Sequence, residues 1–198
     1  MSQNDGKMEK PMVQPDFVKD LITGKDVPLV GAEENRQAVE RFLMEEKGYS
    51  KEDVRVDEPL VVEVGGEKYN SRIDLVIYVE NRRFMVIKCA AGSLGSREKE
   101  ILAAARLAEN PPVPFSAISD GKTAILLDSA SGKQRGEGLS ALWSKDEGTR
   151  MVKTLERTPL SPERLMKEAL IFKSYDSMNV NIAFKNSEKG GGRPSQAS

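Results

Sequence analysis

Asp74 stands in the run "SRIDLVIYV" and Lys88 in "FMVIKCAAGSL", each an ionisable group set among apolar, β-prone residues. A charge in such a run must be paired or must face something useful, because an unpaired buried charge is expensive. Two acids near one strand pair, with a third from a packed helix, can hold Mg²⁺ through oxygen ligands. A lysine beside them can stabilise charge on a phosphate or help activate water. The chain offers such a set, with Glu34 on a preceding helix, Asp74 on one strand and Lys88 on the next. The same residues also read as an Asp74–Lys88 ion pair without catalysis, Glu34 then being a helix N-terminal acid favoured by the dipole.

Composition removes most other chemistry. The 198 residues contain no histidine, so Ser-His-Asp and Cys-His catalysis and His-containing zinc sites are excluded within the chain. The one cysteine, Cys89, can form no internal disulfide and reads as a small buried hydrophobe. A formal net charge of −1 argues against a generally basic nucleic-acid coat but leaves room for a local patch. No run approaches the ~18 apolar residues of a membrane span. "MSQNDGKMEK" lacks the apolar centre of a signal peptide, and the expectation is a cytoplasmic protein.

The elements that must position the candidates follow from periodicity. Residues 1–15 are polar and expected to be mobile, and "DFVKDLITGKDVPLVG" supplies Phe17, Val18, Leu21 and Ile22 for a helical or extended arm. A helix is expected from Ala32 to Lys47, stopped by Gly48, with Ala38, Val39, Phe42 and Leu43 as its apolar stripe. Three strands follow: "PLVVEV", then "YNSRIDLVIYV" after the turn "GGEK", then "FMVIKC" after the turn "ENRR". In the second, Ile73, Leu75, Ile77 and Val79 share one face. In the third, Met85, Ile87 and Cys89 share one face, and Lys88 lies on the other. Both faces are apolar, so layers should cover the sheet on both sides.

Register decides whether Asp74 meets Lys88. Pairing Val79 with Phe84 sets Asp74 opposite Cys89; a one-residue change, by an odd loop or a bulge, brings Asp74 to the face of Lys88. The second register matches the two cleaner apolar rows and is preferred. "GSLGSREKEILAAARLAEN" is then a helix capped at Ser93 or Ser96 and burying Ile101, Leu102, Ala105 and Ala108. "PPVPFSAISDGKTAILLDSASGK" is a hairpin turning at Asp120-Gly121, and a last helix spans about Ser161 to Phe172. "DGKT" lacks the earlier glycine of a phosphate loop, position 116 being Ser, and is a turn. "NSEKGGGRPSQAS", residues 186–198, reads as a disordered tail, leaving one domain over 16–175 with its core at 32–133. The fold class is an α/β sandwich with a mixed sheet.

On "EENRQAVERFLMEEKGY", "SRIDLVIYVENRRFMVIKC" and "AISDGKTAILLD" the chain resembles the PD-(D/E)-x-K restriction-endonuclease-like nucleases. It is most similar to the N-terminal domain of the restriction (R) subunit of type I restriction enzymes, over roughly Ala32 to Lys133. The resemblance implies a central antiparallel meander flanked by helices. It places an active site on the hairpin, with Asp74 as motif aspartate and Glu34, or second Glu33, as the helix acid. The family's next motif is an apolar pair followed by Glu-x-Lys. Here the chain has "VIKCA", so Lys88 takes the acid's position and Ala90 the lysine's.

That departure reverses the local charge, removing a Mg²⁺ ligand and adding a repelling cation. It implies a degenerate nuclease fold that binds DNA or a protein partner, such as a restriction-modification component, without a cofactor. Arg72, Arg82, Arg83, Arg97 and Lys99 would then touch phosphates. The alternative is an active Mg²⁺-dependent endonuclease in which Glu34 and Asp74 hold the metal and Lys88 is a displaced catalytic lysine. Its missing acid would come from Glu63, Glu98 or Glu100.

Overall fold

A computed structural model describes residues 16–188. It begins with a small antiparallel hairpin, β1 (Phe17–Lys19) against β2 (Asp26–Pro28). The arm is thus extended rather than helical. Helix α1 (Glu33–Glu45) follows and ends before Gly48, whose φ of +73° suits glycine beyond a helix C-terminus. Strands β3 (Val54–Val64), β4 (Glu67–Val79) and β5 (Arg82–Cys89) form the meander. Next come α2 (Glu98–Ala108), β6 (Phe115–Ser119), β7 (Ala124–Asp128), β8 (Gln134–Glu137), α3 (Lys145–Met151) and α4 (Pro162–Glu188). The last helix runs well past Phe172 and takes in residues 186–188, the start of the expected tail. The expected mobile segment 1–15 and the rest of the tail, 189–198, lie outside the described residues.

The six larger strands make one sheet in chain order, β3-β4-β5-β6-β7-β8. Its neighbours are antiparallel except β5 and β6, which run parallel and are joined through α2. A parallel pair requires such a crossover, and this βαβ unit makes the sheet mixed. Apolar residues fill both faces. On one side Val39 and Leu43 of α1 pack on Leu75, Ile77, Met85, Ile87 and Cys89. On the other, Ile101, Ala104 and Ala105 of α2 and Ala169 and Phe172 of α4 pack on Leu60, Val62, Ile73, Val86 and Ile118.

The β4–β5 ladder starts as Val79↔Arg82 and Tyr78↔Arg83, skips Phe84, and resumes as Ile77↔Met85, Val76↔Val86 and Leu75↔Ile87. This bulge gives the register in which the two apolar rows align, and it sets Asp74 opposite Lys88. Alternation along β4 does not hold throughout. Ile73 belongs to the α2 side, whereas Leu75, Ile77 and Val79 belong to the α1 side. The partner strand does the same, with Val54 on one side and Leu60 and Val62 on the other. Between them Asp57 adopts φ +53° and drops out of an otherwise constant register. The strand pair coils there, exchanging which core each face serves, and Asp74 sits at that point.

The β6–β7 turn is seated on α1. Gly121, at φ +83°, lies so close that an added Cβ would be 3.0 Å from the Asn35 Cα and 3.1 Å from the Ala38 Cβ. Asn35 also donates from Nδ2 to the Ala90 carbonyl at 2.7 Å, fixing the N-terminal turns of α1 to the end of β5. Among the described residues no helix is long and apolar enough to cross a membrane.

Candidate functional site

The coil in β4 frees the Asp74 side chain from both cores, and the end of β5 receives it. Asp74 Oδ2 accepts from the Cys89 backbone N–H at 2.8 Å, and Oδ1 accepts from Lys88 Nζ at 3.3 Å. The Lys88 ammonium turns toward α2 as well and meets Glu100 Oε1 at 3.1 Å. Glu100 is 2% exposed and also faces Arg97 Nη1 at 3.4 Å. Lys88 therefore bridges a carboxylate of β4 and one of α2. Burial acts to lower the Lys88 pKa, but the Asp74 and Glu100 carboxylates outweigh it and hold the ammonium above its ordinary value.

These groups open on a cleft of about 230 Å³ lined by Val30, Ala32, Glu33, Arg36, Asp57 and Arg72, together with Asp74, Lys88 and Cys89. Glu34 is exposed in the first turn of α1 and does not line it. The structure gathers Asp74 and Lys88 and leaves Glu34 outside; Glu33 reaches the cleft instead, with its carboxylate held by Arg36 at 2.7 Å. Of the alternative acids, Glu63 is exposed on β3 and lines a separate groove against α4, while Glu100 enters the site.

The expected phosphate contacts are dispersed. Arg72 is exposed and pairs with Asp57 at 3.4 Å. Arg83 pairs with Glu58 at 2.8 Å and stacks over Tyr78. Arg97 faces Glu100, and Arg82 and Lys99 are exposed.

The donor set does not suit a divalent cation. Lys88 places a positive charge between the two carboxylates that could have faced one, and Arg36 does the same for Glu33. Among the described residues no group of three or more His, Cys, Asp or Glu could hold a metal ion. The Cys89 thiol is buried, and burial with the nearby Asp74 carboxylate raises its pKa, which disfavours the thiolate.

Three buried charged residues at or beside the site, on two helices, were harder to find in the sequence. Glu100 falls four residues before Ala104 and beside Ile101, on the buried stripe of α2. Arg36 and Glu40 extend the Val39–Leu43 stripe of α1 at helical spacing, so both are carried inward with it. Stripe membership was the available signal in both cases.

Neither curated proteins nor solved structures gave a match to this chain. A family model does match, over residues 31–142, and it describes the type I restriction enzyme R protein N terminus. The matched span opens at the entry to α1, takes in the Asp74–Lys88 hairpin and the β5–α2–β6 crossover, and closes just after β8. With more than half of its length inside that match, the chain belongs to the family of type I restriction enzyme R protein N termini.

Proposed function

We propose that this chain is a non-cleaving member of its family, a binding module that uses the nuclease scaffold to engage DNA or a protein partner. The observation that carries the reading is Lys88 Nζ between Asp74 and Glu100, at 3.3 and 3.1 Å. It stands where the family's motif supplies an acid. An ammonium there neutralises the carboxylates that a metal-dependent nuclease needs free. The cleft remains open beside it, and exposed Arg72, Arg82 and Lys99 offer cations for phosphate contacts.

The test is supercoiled plasmid incubated with the protein and Mg²⁺ or Mn²⁺, beside Asp74→Ala. No metal-dependent nicking is expected from either. Nicking by the native chain that Asp74→Ala abolishes would overturn the reading. The double substitution Lys88→Glu, Ala90→Lys restores the family's Glu-x-Lys and should gain a metal-dependent signal if the scaffold is otherwise intact. Binding to duplex DNA at low salt that weakens steeply as salt rises identifies DNA as the ligand. Absence of binding at low salt would exclude DNA as the ligand.

A further inference from the structure

A second charge cluster lies against the cleft and ties the β1–β2 hairpin to α1. Arg36 Nη1 donates to Asp20 Oδ2 at 2.6 Å and to Glu40 Oε1 at 2.7 Å, while Nε and Nη2 engage Glu33. Three carboxylates thus share one guanidinium, all at buried or nearly buried positions. Glu40 is 0% exposed, and its Oε2 has no hydrogen-bond partner. On the hairpin side, Asp20 also accepts from the Thr23 N–H, and the Leu21 N–H donates to Gln37 Oε1 at 3.1 Å. Ile22 adds an apolar tie to the core.

The rest of the hairpin is lightly held. Phe17, Leu29 and Val30 are exposed, and Val30 also lines the cleft. Gly31, at φ +62° with nothing within 4 Å of an added Cβ, joins the hairpin to α1 and can act as its pivot.

We infer that the hairpin is a strap beside the cleft whose grip on α1 is set by the protonation of Glu40. The groups facing Glu40 are Asp20 from the hairpin, Glu33 and Arg36 from its own helix, and Cys89 from β5, with Lys88 and Asp74 beyond it. When Glu40 is ionised, it repels Asp20 and competes with it for Nη1. A proton on Glu40 removes that competitor and leaves the guanidinium to Asp20 and Glu33. Release of the hairpin has the opposite preference, because it removes Asp20.

Burial pushes the Glu40 carboxyl up to about 7; the pull of Arg36 opposes this, and the repulsion of Asp20 and Glu33 adds to it. Docking brings the Asp20 carboxylate beside Glu40, so the docked state binds the proton more tightly. The grip is therefore strongest at acid pH, weakens as pH rises toward about 7 and is level above that value.

The experiment is amide exchange of the full chain by NMR, corrected for intrinsic rates, at the Leu21 and Thr23 N–H groups. From pH 6 to pH 8 their protection should fall on the order of tenfold in the native chain. In Glu40→Gln, checked for fold by circular dichroism, it should stay constant. An unchanged native profile, or a Glu40→Gln profile that follows the native one, overturns the inference. Asp20→Asn provides the reciprocal measurement, and it decides if Glu40→Gln does not fold. The Glu40 carboxyl ¹³C midpoint should drop below its native value, and an unmoved midpoint also refutes the coupling.

Discussion

An ammonium with carboxylates at 3.3 and 3.1 Å, one of them buried in a helix, is committed to the structure it stands in. Lys88→Met keeps the stem and removes the charge, leaving Asp74 and Glu100 to face each other without it. Breaking a buried pair this way costs about 3 kcal/mol, to be read by urea denaturation. The cost should be flat between pH 6 and pH 9. The folded pKa of Lys88 is raised, so its contribution is fully present below the ordinary lysine value of 10.5 and is lost only above it. A penalty that fades across that window would show that the ammonium is not the paired species. The Asp74–Lys88 meeting was legible in the sequence, because only one register aligns both apolar rows. Glu100 was legible only as one of several acids, since an acid on a buried stripe looks the same as a frayed helix end until the helix is docked.

Docking of α1 against the end of β5 and the β6–β7 turn is what brings Arg36 and Glu33 to the cleft. Gly121 permits it. Gly121→Ala would place a methyl 3.0 Å from the backbone of Asn35, in a left-handed conformation that alanine resists. A loss of at least ~2 kcal/mol is expected from strain and contact together, measured by thermal or chemical unfolding, and a neutral substitution would mean that α1 can shift freely. Helix and strand types were readable from the periods of their apolar residues, and the Asp120-Gly121 turn from its dipeptide. The exchange of faces in β3 and β4 was not. Ile73 alternates with Leu75 in sequence, but the coil at Asp57 turns it to the α2 side, and no local pattern announces a left-handed aspartate. The caps expected at Ser93 or Ser96 also failed to appear: α2 begins at Glu98 after a short 3₁₀ turn, with Arg97 at the cap position.

Across the whole molecule, two cores on opposite faces of one sheet are locked by buried arginines. Arg36 serves the α1 side. On the other, Arg106 of α2 donates to the Ser129 carbonyl at 2.7 Å and to Glu168 Oε1 of α4 at 2.9 Å, joining both helices to the loop after β7. Glu168→Ala removes the carboxylate and leaves the guanidinium buried. It should cost about 3 kcal/mol, with hydrogen exchange showing α4 amides losing protection ahead of those in the sheet; simultaneous loss would place α4 inside the same cooperative unit. The length of α4 was not legible in the sequence, because beyond Phe172 Ser174, Asp176, Ser177, Asn179 and Asn181 interrupt the apolar stripe while the helix continues. Lys88 carries a consequence at this scale too. A fold that keeps its own counter-ion tethered to a strand does not draw on the solution for one. Its rigidity around Asp74 should be the same in a chelator as in millimolar magnesium.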